Sequence, residues 1–243
     1  MKKRLNLFLA IASLSFVVLS LNSCSFGFTV IKPEGEYISK TIETNPFENV
    51  SVSSGMELIL TQDPTTSVRV ETYENIHQYI KTEVTGNTLD FTIDFTVNLL
   101  NPKVKVYVNK DKINRISGSG GSRLNLNSGW SADNLEVSMS GGSSAFGKVE
   151  AKDLSVSMSG GSRSELEGSA EKLTLDASGG SSCRNFNLAI IQGNMRLSGG
   201  ASAHITASDF LSVEGSGGAS VQYKGNPELR TNLSGGATVR KAD

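Results

Sequence analysis

The residue whose surroundings favour a chemical modification is Cys24. Residues 21–24 are Leu-Asn-Ser-Cys, which has the form of a lipobox: an aliphatic residue, two small or polar residues and a cysteine. A thiol at this position receives a diacylglyceryl group before cleavage, and the cysteine becomes the first residue of the mature chain. The basic residues 2–4 and the apolar stretch 5–21 precede it, as in a secretory signal peptide. We therefore predict a signal peptide over residues 1–23 and lipid attachment at Cys24.

Lipid attachment makes a membrane the expected partner of this chain. One acyl chain alone binds a bilayer only marginally, whereas the three chains of a bacterial lipoprotein hold it stably. The predicted location is the outer membrane, with the body of the protein facing the periplasm or the cell surface. The formal net charge falls from −1 to −4 when residues 1–23, which carry three cations and no anions, are removed. A chain of this charge is not expected to bind nucleic acid.

Residue types that serve catalysis or metal binding occur without the partners that they need. His77 and His204 have no cysteine, histidine or carboxylate at ligand spacing, and the glycine-rich stretches lack the Lys-Ser/Thr of a phosphate loop. A polysaccharide lyase or hydrolase, the enzyme alternative, needs paired or calcium-binding acids gathered on one face. We predict no enzyme, no cofactor and no metal site, because the acidic side chains scatter over the repeat: Glu136, Glu150, Asp153, Glu165, Glu167, Glu171 and Asp209.

The most regular feature of the sequence is the triplet Ser-Gly-Gly. Its seven copies are separated by steps of 18 to 21 residues, and a fixed period near twenty indicates a solenoid. Leucine-rich repeats share this period, but they need a denser leucine pattern and an asparagine ladder, and this sequence has neither. In coils stacked about 4.8 Å apart the serines would form a line. This line is either a polar stripe for a ligand or turn chemistry in which serine bonds its own backbone. The serines are Ser119, Ser140, Ser159, Ser178, Ser198, Ser216 and Ser234.

The copies, aligned on their serines, share an alternation of apolar and polar positions. The residues five, three and one before the serine are mostly apolar, as in Leu154, Val156 and Met158, and those between are polar. This period of two is typical of a strand with one buried face. Glycine adopts positive φ without penalty, so it can turn the chain at a corner. We predict an all-β, parallel β-helix whose coils of 18 to 21 residues each carry one Ser-Gly-Gly corner.

The alignment also predicts the surroundings of individual side chains. Cys183 shares its position in the coil with mostly small, apolar residues, so we expect a buried and unreactive thiol. Because Cys24 is the only other cysteine, no internal disulfide is expected. Asp176, Arg196 and Glu214 share a position that should point outward. They are expected to form a ladder of alternating charge that clamps the register of the coils, since a slipped coil would lose the alternation. The alternative is a catalytic carboxylate pair with a substrate-binding arginine, which we disfavour because an arginine between two acids neutralises both.

The region before the repeat has strand patterns without the triplet. Residues 113–243 form the repeat, and residues 24–37, which contain Pro33 and Gly35, are predicted to be a tether. Between them, residues 38–112 contain alternating or β-branched runs separated by turn residues. Solenoids need atypical end coils that cap the core, so we expect residues 38–112 to supply the N-terminal coils and cap of one continuous domain. A separate small β domain is the alternative.

Several motifs in a fixed order resemble a known family. Residues 47–52 are Phe-Glu-Asn-Val-Ser-Val with Ser54-Gly55 behind them. A Val-Arg-Val strand at 68–70, Glu-Asn-Ile at 74–76, a Gly86-Asn87-x-Leu89 turn and repeated Leu-x-Val-x-x-Ser-Gly-Gly follow. Over about residues 40 to 240 this resembles the putative auto-transporter adhesin, head GIN domain family. The resemblance implies a right-handed β-helix in cell-envelope lipoproteins of Gram-negative gut bacteria, and it brings no catalytic residues.

The expected role is therefore non-catalytic binding or adhesion at the cell envelope. The ligand class stays open between a glycan and another envelope protein. A structural or signalling role at the envelope is the alternative.

Overall fold

The computed structural model describes residues 29–243, and nearly all regular structure in this range is β-strand. The predicted signal peptide and Cys24 lie outside the described residues. The first nine strands are β1 (Thr29–Ile31), β2 (Tyr37–Thr41), β3 (Asn49–Val52), β4 (Glu57–Gln62), β5 (Ser67–Tyr73), β6 (Ile80–Thr85), β7 (Thr88–Ile93), β8 (Val97–Leu99) and β9 (Lys105–Lys110). The other nine are β10 (Arg115–Gly118), β11 (Arg123–Met139), β12 (Ser144–Met158), β13 (Arg163–Ala177), β14 (Ser182–Leu197), β15 (Ser202–Gly215), β16 (Ser220–Lys224), β17 (Glu228–Leu233) and β18 (Thr238–Lys241).

The strands of the repeat stack as parallel coils in a β-solenoid of about seven turns. Each long strand from β11 to β15 bends around most of one coil and pairs in parallel with the next. The predicted β-helix is confirmed. The only helical element in residues 29–243 is a 3-10 turn over His77–Tyr79, which excludes the leucine-rich repeat.

The register of the coils is the one that the sequence alignment predicts. Leu135 pairs with Leu154, which pairs with Leu173, and the next coils continue this apolar column. Gly193 interrupts the column, but the side chains of Ile190 and Leu211 fill the space where its Cβ would lie, 2.8 Å away. One hydrophobic core therefore runs from Phe47 in the first coils to Val221 near the last.

Cys183 lies in this core, as predicted, and is 1% exposed. Burial raises the pKa of its thiol to about 12. Since the thiolate is the reactive form, the side chain is held in its unreactive form at neutral pH.

The first glycine of each triplet makes the corner. In all seven copies its φ lies between 59° and 71°, in the left-handed region that favours glycine. A Cβ added to Gly160 would lie 2.9 Å from the carbonyl oxygen of Gly141 in the preceding coil, and the same close approach recurs along the stack. From the second copy onward the other glycine of the pair differs: Gly161 lies outside the left-handed region, and its Cβ would have an ordinary contact of 3.6 Å. In these copies the first glycine of the pair has the positive φ that we predicted for the corner, and the second glycine does not.

The coils before the repeat use a different residue at the corner. β3 stacks in parallel between β10 and β7, so Val50 and Val52 continue the apolar columns. In the coil of β3 the position of the corner glycine is occupied by Ser54, which has a φ of 59°. A Cβ added to Gly120 would lie 3.2 Å from the Ser54 backbone nitrogen. The corner therefore continues into a coil that has no Ser-Gly-Gly triplet.

The N-terminal region adds antiparallel pairs to the parallel stack. β6 pairs with β7, and β5 pairs with both β2 and β9, all antiparallel. Part of the segment predicted as a tether is structured, because β1 pairs in parallel with β8. These pairings cover the first coils, where the stack has no preceding coil.

The corner predicts different responses to substitution at two adjacent glycines. We expect Gly160→Ala to lower the free energy of unfolding by about 1–3 kcal/mol, because alanine is strained at positive φ and its Cβ meets the Gly141 carbonyl. Gly161→Ala should change it by no more than about 0.5 kcal/mol. Urea denaturation of both variants measures the difference, and equal losses would contradict this description of the corner.

Candidate functional site

Six of the seven triplet serines line one groove along the side of the solenoid. We call it the serine groove. Its volume is about 610 Å³, and the serines that line it are Ser140, Ser159, Ser178, Ser198, Ser216 and Ser234. Ser119 belongs to the same corner column but is not among the lining residues. Parallel pairing keeps equivalent serines about 4.8 Å apart along the groove.

The hydroxyl groups in this line are not used for folding. The backbone N–H groups of these serines link neighbouring coils; the Ser159 N–H, for example, donates to the Met139 carbonyl over 3.0 Å. Within residues 29–243, however, none of the seven hydroxyls has a hydrogen-bond partner. The turn bond expected of these serines is instead made by a later residue, since Ser143 Oγ donates to the Ser140 carbonyl over 2.9 Å. The groove therefore presents uncommitted donors and acceptors.

Sequence reasoning did not identify the buried serines three positions further on. Ser122, Ser143, Ser162 and Ser181 lie inside the coil and are at most 1% exposed. Ser122 Oγ and Ser143 Oγ donate to backbone carbonyls. The alternation with apolar neighbours, and the alanines that replace these serines at 201, 219 and 237, were the signals for burial in the sequence.

The predicted charge ladder is confirmed and lies along the serine groove. Asp176 pairs in register with Arg196, which pairs with Glu214. One guanidinium nitrogen of Arg196 is 3.2 Å from Asp176 Oδ1, and another is 3.8 Å from Glu214 Oε2. All three side chains line the groove and are exposed. The arginine thus lies between the two carboxylates, which leaves neither of them isolated.

A second groove, of about 1010 Å³, runs along another side of the coils. Its floor contains Ala132, Ala151, Ala170 and Ala207, which lie in one column with Ile190. Trp130 also lines this alanine groove, and its buried indole N–H has no acceptor within the described residues. The sequence signal for this groove was the 19-residue spacing of the first three alanines.

An ion pair borders the alanine groove. Lys152 Nζ is 2.7 Å from Asp133 Oδ1. The hydrogen bond between them lowers the pKa of Asp133 and raises that of Lys152. Because both side chains are exposed, this pair is a polar edge of the groove and stabilises the fold little.

The two histidines make contacts that belong to packing. His77 Nε2 is 3.2 Å from the Ile38 carbonyl oxygen, and desolvation lowers its pKa. The His204 ring stacks on Phe186 with centroids 4.8 Å apart. The described part of the chain contains no group of three or more histidine, cysteine or acidic side chains that could hold a metal ion. It also contains no helix with the length and apolarity of a membrane span.

A known protein family matches most of this sequence. Residues 46–227 match the family model described as putative auto-transporter adhesin, head GIN domain. The match covers most of the chain, so the protein belongs to this family, and the resemblance found in the sequence is confirmed. No protein of curated function matches the chain.

Solved structures from Bacteroides and Parabacteroides species share the fold. A putative adhesin from Bacteroides fragilis is 24% identical with a TM-score of 0.74, over 87% of this chain and 100% of that one. A putative lipid binding protein from Parabacteroides distasonis is 18% identical with a TM-score of 0.68, over 88% and 100%. A putative adhesin from Parabacteroides merdae is 20% identical with a TM-score of 0.63, also over 88% and 100%. At these identities the likeness establishes the fold alone.

The charge ladder predicts a small, salt-dependent contribution to stability. Exposed ion pairs contribute about 0.2–1 kcal/mol each, so Arg196→Ala should lower the free energy of unfolding by about that amount at low salt. The loss should shrink in about 1 M NaCl, where screening weakens exposed charges. Chemical denaturation at both salt concentrations measures this. A loss that salt leaves unchanged would show that Arg196 stabilises the fold by packing.

Proposed function

We propose that this member of the head GIN domain family is a non-catalytic, adhesin-like binding protein of the cell envelope, which holds an extended glycan in its serine groove. The observation that carries the proposal is the line of triplet hydroxyls, none of which is bonded to another of the described residues. A line with a fixed spacing matches a ligand that is itself a linear repeat of hydroxyl-bearing units. We therefore favour a polysaccharide over a compact small molecule.

The chemistry of the serine groove suits sugar hydroxyls. Each serine hydroxyl can donate one hydrogen bond and accept others, as can each sugar hydroxyl. Asp176 and Glu214 add acceptors, and Arg196 adds planar donors, at the centre of the groove. Because the serines are held by a stacked backbone, little conformational entropy is lost when a ligand binds.

The same groove is poorly suited to cleaving a glycan. Hydrolysis requires one carboxylic acid that donates a proton and one free carboxylate that acts as base or nucleophile. Here Arg196 lies within 3.2 Å of Asp176 and 3.8 Å of Glu214. Both acids share one arginine and are exposed to solvent, so the groove does not set a separate proton donor opposite a free carboxylate. Binding without cleavage is the function that this arrangement favours.

The envelope location in this proposal rests on Cys24. Lipid attachment there would tether the solenoid to the outer membrane, facing the periplasm or the cell surface. The chain from Cys24 to β1 is short, which would hold the solenoid close to the bilayer. Tethering would also concentrate the binding domain at the surface where envelope glycans lie.

Paired serine substitutions test the function. We expect Ser159→Ala with Ser216→Ala to weaken glycan binding about tenfold or more, since each lost hydrogen bond contributes about 0.5–1.5 kcal/mol and about 1.4 kcal/mol is tenfold in affinity. The matched control is Ser155→Ala with Ser212→Ala, on the same two coils but outside the groove lining. An array of bacterial and mucin polysaccharides selects the ligand, and calorimetry gives the affinities.

Two results would contradict the proposal. One is equal affinity of the groove pair and the control pair for the selected glycan. The other is binding to no polysaccharide on the array, which would favour an envelope protein as the ligand.

A further inference from the structure

We propose that the N-terminal end of the solenoid inserts apolar side chains into the lipid bilayer beside its anchor, with Phe95 as the principal contact. The contact surface consists of the two-stranded sheet β1–β8 and its flanking residues. We call it the membrane tip. This inference rests on the proposed lipid attachment at Cys24, and it adds a second, non-covalent contact between the folded protein and the membrane.

The membrane tip carries unusually exposed apolar side chains. Phe95 is 81% exposed, Val30 56% and Leu100 48%. They lie on or beside one two-stranded sheet, because Thr29 pairs with Val97, two residues after Phe95, and the Leu100 N–H donates to the Ile31 carbonyl. The other exposed large hydrophobic side chains of residues 29–243 are less exposed than Phe95 and Val30, at 38–47%, and are spread along the chain at Tyr37, Ile191, Leu229 and Leu233. Exposed apolar groups gathered in this way mark an interaction surface.

The turn that carries Phe95 is built to hold the ring outward. The Asp94 carboxylate accepts hydrogen bonds from the Thr96 N–H over 2.9 Å and from its hydroxyl over 2.8 Å. Lys81 Nζ lies 3.1 Å from Asp94 and 5.3 Å from the centre of the Phe95 ring. These contacts hold the turn without covering the ring. A lysine beside an apolar tip can keep its ammonium at the headgroups while its stem lies along the apolar surface.

The length of chain between anchor and tip identifies the bilayer as the occupant. Thr29 is five residues beyond Cys24, and an extended chain spans at most about 3.6 Å per residue, or about 18 Å here. Thr29 pairs with Val97 in the sheet that carries the exposed side chains. An acylated Cys24 at the membrane surface therefore keeps Thr29, and with it the sheet of the tip, within about 18 Å of the lipid. No comparable restraint brings a second copy or another protein to this surface.

Tryptophan fluorescence tests the contact directly. The chain contains one tryptophan, Trp130, which is 2% exposed and serves as an internal reference. Phe95→Trp places a second indole at the tip, and Ile191→Trp places one at an equally apolar but distant exposed position. Each lipidated protein is purified from membranes and reconstituted into phosphatidylethanolamine–phosphatidylglycerol vesicles containing brominated phosphatidylcholine. We expect bromolipid to quench a large part of the added emission in Phe95→Trp and none in Ile191→Trp.

The controls separate the failure of this inference from the failure of the anchor. Cys24→Ala should move the protein from the membrane fraction to the soluble fraction; if it does not, the anchor and the inference both fall. If Cys24 anchors the protein but bromolipid leaves the added indole of Phe95→Trp unquenched, the inference alone is overturned. Equal quenching in Phe95→Trp and Ile191→Trp would also overturn the inference, because the side of the solenoid would then contact lipid as much as the tip does. The inference would also be overturned if, in the absence of lipid, the emission of the added indole in Phe95→Trp changed with protein concentration. A second copy of the protein would then cover the tip.

Discussion

One hydrogen bond, repeated at the corners of the third to seventh triplets, fixes how the coils of the repeat stack. The N–H of the second glycine donates to the carbonyl of the first glycine in the preceding coil, over 2.7 Å from Gly161 to Gly141 and 2.8 Å from Gly180 to Gly160. This bond requires close backbone approach and a left-handed φ at the first glycine, and only glycine meets both conditions without strain. Because the corners stack directly, the strands that leave them start in register. The apolar columns, the charge ladder and the line of serine hydroxyls all depend on that register.

The repeat was predictable because each of its coils carries its own marker. Aligning the triplets was enough to pair Leu135 with Leu154 and to place Asp176, Arg196 and Glu214 in one column. The N-terminal coils were harder, since Ser54 replaces the corner glycine there and the antiparallel partners of β5 depend on contacts distant in sequence. The alanine groove was missed because its column keeps an even spacing only through Ala170 and then continues through Ile190 to Ala207 across register shifts between β14 and β15. Sequence spacing alone does not locate such shifts.

The same regularity separates two kinds of serine that look alike in the sequence. Ser143 lies inside the coil and satisfies its hydroxyl at the corner, whereas Ser140 lies at the groove with its hydroxyl unbonded among the described residues. The difference follows from strand alternation, because positions at odd offsets from the triplet serine, such as Met139 and Ser143, point inward on both sides of the glycine pair, whereas Ser140 itself points outward. In the buried column Ser122 and Ser143 bond their hydroxyls to backbone carbonyls, whereas Ser162 and Ser181 are buried without a partner among the described residues. The triplet serines are the column that lies open to the proposed ligand. In this proposal the end of the solenoid, at the membrane tip, contacts the bilayer, and its side, at the serine groove, binds the ligand.

The stacked corner is the central claim, and residue-resolved hydrogen exchange tests it most directly. If each second-glycine N–H is bonded to the preceding coil, the amides of Gly161, Gly180, Gly200 and Gly218 should exchange as slowly as those of the core strands beside them. Exposed turns such as Gly86 provide the fast reference within the same protein. Protection of the four amides to the level of Val156 and Leu175 is the predicted result. Exchange at the rate of Gly86 would contradict the account, since the corners would then be ordinary surface turns.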